Sequence, residues 1–204
     1  MFTGIIQSLG QVIDREEKSG DLQFKVKTNF ATPETIKLGD SIAMDGVCLT
    51  VTQIDDDVVN LDVSVETVDK TTVSNWQPGT TLNLEPAMTP QDQLGGHIVS
   101  GHVDAVGCCL SRVPSARSEI FSFEIPANLT QFVVTKGSIT INGVSLTVNT
   151  IENNVLTVNL VPHTMTHTNL GELKPQDPVN IEVDTIARYV AKMLQPHIQN
   201  NTVL

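Results

Sequence analysis

The segment Gly46-Val47-Cys48-Leu49-Thr50-Val51 returns as Gly143-Val144-Ser145-Leu146-Thr147-Val148, changed only where Cys48 becomes Ser145. The surroundings return in register. Gly4, Gly10, Phe24, Thr67, Thr71, Pro78, Asn83 and Glu85 reappear as Gly101, Gly107, Phe121, Thr164, Thr168, Pro175, Asn180 and Glu182. A spacing this long exceeds the roughly 20–50 residues of a solenoid unit. Each copy has instead the length of a small domain that holds its own core. The chain thus divides into a module over residues 1–96, a second over 97–184 and a tail over 185–204. One module is used twice.

Within each copy the signals are those of short strands. Leu22-Gln23-Phe24-Lys25-Val26-Lys27 alternates with period two, one face for a core and one for water. Residues 1–12 read as a first strand, and Ser41 to Met44 as another after the turn Lys37-Leu38-Gly39-Asp40. Cys48 to Ile54 and Val58 to Val63 flank Asp55-Asp56-Asp57 as a hairpin, echoed by Ser145 to Ile151 and Val155 to Val161 about Glu152-Asn153-Asn154. Thr32-Pro33-Glu34-Thr35-Ile36 has the capping residue and the proline of a short helix start. Frequent turns and little helix predict an all-β fold, a small antiparallel barrel in each half.

The tail breaks the pattern. Asp184 suits a helix cap, and Ile186, Val190, Met193 and Leu194 recur at three-to-four spacing as an apolar stripe. Such a stripe is buried either on the chain's own barrels or against other copies of the chain.

Composition excludes several classes. A net charge of −11 with scattered Lys and Arg leaves no basic face for nucleic acid. No apolar run reaches the ~18 residues of a membrane span, and the N-terminus lacks the basic and apolar regions of an export signal. The three cysteines, Cys48, Cys108 and Cys109, form neither a disulfide framework nor a metal spacing, which suits thiols in a cytoplasm. His163 and His167 sit four apart in what reads as a loop, with no third ligand, so no metal is expected. There is no phosphate loop, dinucleotide fingerprint or nucleophile elbow.

Symmetric positions serve the fold, so chemistry is sought where the copies differ. Cys48 faces Ser145, Ile5 faces His102, Val99 faces Phe2, Glu66 faces His163 and Ala87 faces Asp184. The densest polar cluster is Gly95-Gly96-His97-Ile98-Val99-Ser100-Gly101-His102 at the junction of the halves. Its glycines let backbone approach a ligand and its imidazoles offer an acid or base. The blander reading is a glycine-rich linker with a structural histidine.

These segments, together with Met1-Phe2-Thr3-Gly4-Ile5-Ile6 and Asn180-Ile181-Glu182-Val183-Asp184 before the last helix, resemble riboflavin synthases of the trimeric, α-chain type over nearly the whole chain. The resemblance implies two similar six-stranded Greek-key barrels and a C-terminal helix that trimerises the chain. It implies dismutation of two molecules of 6,7-dimethyl-8-ribityllumazine to riboflavin and 5-amino-6-ribitylaminouracil, without metal or organic cofactor, at sites between subunits. It implies a homotrimer, working alone or inside a larger assembly with lumazine synthase.

By matching motif, Gly4, Ile5 and Ile6, Cys48, Leu49 and Thr50, and Asp62, Val63, Ser64, Val65, Glu66 and Thr67 would line a first ligand site. Gly101, His102 and Val103, Lys136, Ser145, Leu146 and Thr147, and Asn159, Leu160, Val161, Pro162, His163 and Thr164 would line a second. His97 joins the binding residues, and Phe2 would close over the bound rings. His102, helped by Ser145 and Thr147, is the candidate base for the acidic C7 methyl group. Cys48 and Ser41 are candidate nucleophiles at C7, and Asp184 assists proton traffic. Val47 stands where some relatives carry a second cysteine, so a paired thiol is not required. A non-catalytic lumazine or flavin antenna of the same fold is the competing reading.

Overall fold

The structure, a computed structural model, describes residues 1–18, 20–29 and 36–200, with side chains described as far as residue 194. Twelve strands close into two barrels. The first comprises β1 (Ser8–Lys18), β2 (Asp21–Lys27), β3 (Ser41–Met44), β4 (Val47–Asp55), β5 (Val58–Val63) and β6 (Thr81–Pro86), ordered β1-β2-β5-β4-β3-β6. The second comprises β7 (Ala105–Ser115), β8 (Ser118–Glu124), β9 (Ser138–Ile141), β10 (Val144–Glu152), β11 (Val155–Leu160) and β12 (Pro178–Val183), ordered β10-β11-β8-β7-β12-β9. Every pairing is antiparallel.

The local chemistry repeats with the sequence. Asp45-Gly46 and Asn142-Gly143 take positive φ at both residues (46° and 79°, then 45° and 79°) and close two-residue hairpins between β3 and β4 and between β9 and β10. Only such residue pairs enter that turn cheaply. The strands slip register between Val12 and Asp14 and again between Cys109 and Ser111, and likewise at Val51/Gln53 and Val148/Thr150. These bulges bend the strands as barrel closure demands. Alternation then fills each barrel separately. Phe24, Trp76, Leu61 and Leu82 pack in the first core, and Phe121, Phe123, Leu156 and Ile181 in the second.

Two expectations change. The first strand begins at Ser8, because residues ahead of it leave for the other barrel. The His163–His167 segment is a helix, α2 (Pro162–His167), opened by a proline and matched by α1 (Val65–Lys70) in the first half. Of the helix expected from Thr32, residues 32–35 lie outside the described residues. The tail forms α3 (Thr185–Asn200), but Ile186, Val190, Met193 and Leu194 stay exposed, so the stripe does not dock on its own barrels. What fixes α3 is its root. Asp184 Oδ1 accepts the Ile186 N–H, and Arg188 pairs with Asp104, whose other oxygen accepts the Val183 N–H.

Reciprocal bonds join the barrels about a two-fold relation. Asn83 Nδ2 donates to the Asn142 carbonyl, and Asn180 Nδ2 to the Asp45 carbonyl. Asn83 Oδ1 accepts the Asn169 N–H, and Asn180 Oδ1 the Thr72 N–H. Asp45 and Asn142 accept the backbone N–H of Asn83 and Asn180 through Oδ1. All four are buried, where an unpaired amide or carboxyl is costly, so the network specifies how the barrels meet.

Asp45 is the ionisable member, and burial pushes its carboxyl up to about 7 against the two bonds it accepts from Asn83 and Asn169. The folded state therefore holds this proton from about pH 4 to 7, where the unfolded chain has released it. That stability is complete below pH 4 and is lost as pH rises to 7. Asp45→Asn, which copies Asn142, should lack the decline. Urea titrations should find the two proteins close at pH 4.5 and the variant more stable at pH 7.5 by on the order of 2–4 kcal/mol. Parallel curves would exclude a buried titrating Asp45.

Candidate active site

The crossing segments assemble the site. Residues 4–6 leave the first barrel to meet the second, and residues 101–103 do the reverse. Phe2 and Val99, equivalent in the repeat, pair across the two-fold in an isolated bridge. The Gly4 carbonyl accepts the Ser145 N–H at 2.8 Å, and the Gly101 carbonyl accepts the Cys48 N–H at 2.9 Å. Ile6 packs on the second core and Val103 on the first. The expected grouping is thereby corrected. Gly4, Ile5 and Ile6 lie beside Ser145, Leu146 and Thr147, and Gly101, His102 and Val103 lie beside Cys48, Leu49 and Thr50. Sequence proximity assigned each segment to its own barrel, but the edge it pairs with belongs to the other.

Two carboxylates hold the crossings. Glu85 accepts the Thr3 N–H and hydroxyl and the Gly4 N–H, and Glu182 accepts the same three donors from Ser100 and Gly101. Burial raises both carboxyls above the usual range, and these bonds pull them partly back.

Each barrel then offers an outward shelf. On the first, Ser41 pairs with Thr50, and Asp62 lies one step beyond the Val51–Leu61 pair, bonded to Gln23 Nε2 at 2.8 Å. On the second, Ser138 pairs with Thr147, and Asn159 lies one step beyond the Val148–Val158 pair. The start of α1, with Ser64, Val65, Glu66 and Thr67, flanks the first shelf. Val161, Pro162, His163 and Thr164 flank the second. Thr50, Asp62, Glu66, Thr147, Asn159 and His163 are all exposed. Leu49, Val63, Leu146 and Leu160 point into the cores, so only their backbone is open to the shelves.

The residues picked for catalysis divide between the half-sites. Ser41, Cys48 and the exposed His102 belong to the first; Ser145, Thr147 and Asp184 belong to the second. Within one chain His102 is therefore not placed with Ser145 and Thr147. Phe2 is also corrected. It is fully buried against Ala43, Val99, Cys48 and Ala87 and closes over nothing in the single chain. His97 is buried as well, its Nδ1 2.7 Å from Ser145 Oγ and its Nε2 3.2 Å from Thr140 Oγ1. Burial lowers its basicity, Asp184 pulling the other way. The sequence reading missed Thr140, whose counterpart Ala43 was the available signal.

Lys136 sits at the turn into β9 with φ +68°, its N–H on the Val148 carbonyl. Its counterpart Gly39 makes the same bond to Val51 with φ +86°. A lysine in left-handed backbone costs about 1 kcal/mol that glycine avoids, and such strain gathers at functional sites. No cluster able to hold a metal occurs among the described residues.

A duplicated, closed six-stranded barrel with matched outer half-sites defines a class, the tandem lumazine-binding proteins. The model of the Lumazine binding domain matches residues 3–87 and 100–184. Among curated relatives, riboflavin synthase of Photobacterium leiognathi is 40% identical over 195 residues, covering 96% of this chain and 89% of its own. Those of Mycobacterium tuberculosis H37Rv (39% over 199 residues, 96% and 98% covered) and Bacillus subtilis 168 (36% over 202 residues, 99% and 94% covered) match similarly. Of solved structures, LumP complexed with riboflavin superposes with a TM-score of 0.83 at 25% identity, covering 90% of this chain and 99% of that one. LumP complexed with 6,7-dimethyl-8-(1'-D-ribityl) lumazine gives 0.81 at 24%, with the same coverage. The chain belongs to the riboflavin synthase family, and it is an enzyme of the transferase class.

The strain at Lys136 is directly testable. Lys136→Gly should raise the melting temperature by about 2–4 °C, as about 1 kcal/mol does in a domain of this size. An unchanged or lower melting temperature would show that the lysine backbone is not strained.

Proposed function

We propose that this chain converts two molecules of 6,7-dimethyl-8-ribityllumazine into riboflavin and 5-amino-6-(D-ribitylamino)uracil by transfer of a four-carbon unit. The observation that carries the reading is the pair of equivalent half-sites that share one geometry and differ in chemistry. Two identical substrates call for two similar seats, and their unequal roles call for different side chains. Thr50, Asp62 and Thr147 hold ribityl hydroxyls, and backbone groups at Gly4, Ile5, Ile6, Gly101 and Val103 read the pyrimidine edges. Lys136 flanks the second seat.

The two substrates meet when the first half-site of one subunit closes on the second half-site of another, which supplies effective concentration. His102 of one subunit then lies across from Ser145 and Thr147 of its neighbour and removes the proton from the C7 methyl of one lumazine. The carbanion attacks the other lumazine, whose C7 is activated by addition of Cys48, Ser41 or water, with Asp184 relaying protons. The exposed stripe of α3 supplies the contact that makes a homotrimer. The enzyme works in the cytoplasm, as a free trimer or enclosed with lumazine synthase.

The competing reading is a lumazine or flavin antenna, favoured by the likeness to LumP. Incubation with the lumazine decides between them. Growth of riboflavin absorbance, with about half an equivalent formed per substrate consumed, supports the enzyme. A retained fluorescent ligand without product supports the antenna.

Association is tested separately. Tyr189→Asp with Met193→Asp should give monomers by sedimentation and lower turnover at least tenfold, because charges on the stripe oppose its burial. Full activity from a monomer would exclude a shared site.

A further inference from the structure

The two half-sites rest on different foundations. Beneath Cys48 lie Phe2, Ala43, Val99 and Ala87, an apolar cluster. The equivalents of Ala43, Cys48 and Ala87 are Thr140, Ser145 and Asp184, and among them sits the imidazole of His97. Three positions turn polar together around one imidazole. A random exchange of small residues would not leave each hydroxyl within hydrogen-bond reach of a different ring nitrogen.

The direction of those bonds follows from who has alternatives. Thr140 Oγ1 is buried (1% exposed), and His97 Nε2 is its one hydrogen-bond partner among the described residues. A buried hydroxyl proton without an acceptor costs more than a spare lone pair, so Thr140 donates and Nε2 accepts. A neutral imidazole then carries its proton on Nδ1, which donates to Ser145 Oγ. Ser145 is half-buried at the mouth of the second half-site, and its hydroxyl proton is left to turn outward.

We propose that Thr140 and His97 form a one-way hydrogen-bond relay that holds His97 as the Nδ1–H tautomer and makes the Ser145 hydroxyl an obligatory donor to the ligand of the second half-site. The chain runs Thr140 O–H to Nε2, Nδ1–H to Ser145 Oγ, and Ser145 O–H to an acceptor on the bound heterocycle. His97 is a positioning residue, acting through Ser145, and not a ligand contact. A donor there favours the ligand's deprotonated form, whose charge spreads onto ring oxygens and nitrogens. At the position equivalent to Ser145, the first half-site has the weak thiol donor of Cys48. The effect on the ligand rests on the function proposed above; the tautomer does not.

The test therefore has two arms. Long-range proton–nitrogen spectra of imidazole-labelled, ligand-free protein at pH 8, with His97→Gln to identify the signal, should show a protonated Nδ1 and a bare Nε2. In Thr140→Val, which keeps the shape and removes the hydroxyl, the signal should move to a tautomer mixture, and Thr140→Ser should restore it. An Nε2–H tautomer in the unmodified protein overturns the relay, whether or not any variant folds. So does a Thr140→Val spectrum identical to the wild type.

In the second arm, Thr140→Val should lower kcat about tenfold with KM within about twofold, as loss of an interaction strengthened in the transition state does. The absorbance titration of bound 6,7-dimethyl-8-ribityllumazine should shift upward by about one pH unit. A change in KM alone, with an unshifted titration, would overturn the donor role while leaving the tautomer standing. Absence of riboflavin from the wild type would refute the proposed function and not the relay.

Discussion

The structure depends on an exchange of backbone hydrogen bonds across one two-fold axis. Gly4 takes the Ser145 N–H and Gly101 takes the Cys48 N–H, so each barrel borrows a segment from the other half of the chain. The approach is too close for side chains. A Cβ on Gly4 would stand 2.6 Å from Ser145 Cβ, and one on Gly101 would stand 2.7 Å from Cys48 Cβ, with φ positive at both glycines. The buried carboxylates of Glu85 and Glu182 then fasten each crossing with three donors. Carboxylates are costly to bury, and here the cost is offset by charge-assisted bonds that also fix geometry. The strand that carries the variable Cys/Ser position is therefore held by the partner barrel, and the half-sites cannot shift independently.

That arrangement separates fold from chemistry. Gly46 against Gly143 and the asparagines Asn83 and Asn180, which meet at the two-fold, are identical in the two halves. Positions a few ångströms away are free to diverge, since a change there meets no copy of itself. Ala43, Cys48 and Ala87 became or came from Thr140, Ser145 and Asp184 without disturbing register, as the matching β3–β4 and β9–β10 pairings show. Phe2 and His97 complete the contrast, one filling space and the other passing hydrogen bonds.

Much of the fold was legible because duplication doubled every weak signal. Alternation in Leu22–Lys27, turn residues at Asp55–Asp57 and Asn153–Asn154, and the cap at Asp184 all report local physics, which sequence encodes directly. The exchange of residues 4–6 and 101–103 was not legible. An edge strand's pairing partner is a long-range choice, and nothing local in Met1–Ile6 names the barrel it joins. The same gap misplaced His102 and exposed Phe2, whose burial comes from Val99 and Cys48 far along the chain. The short helix at Pro162 was visible in principle, since proline at the first helical position is a start signal. Thr140 escaped because buried threonines in strands are common, and only its pairing with His97 makes it informative.

The root of α3 hangs the helix from the same strand end as the second half-site. Asp184 ends β12, caps the helix through Ile186 and bears electrostatically on His97 beneath Ser145. Arg188 pairs with Asp104, and Asp104 in turn takes the Val183 N–H at the end of the same strand. The helix thus leaves the second barrel in one direction, with Ile186, Tyr189, Val190, Met193 and Leu194 bare. An apolar stripe of this kind on a fixed axis is costly to leave in water. Burying it against another copy would orient that copy relative to Ser145 and Thr147, because helix and half-site hang from the same strand end. On the proposed function, self-association and completion of the site would then be one requirement, set by where the second module stops.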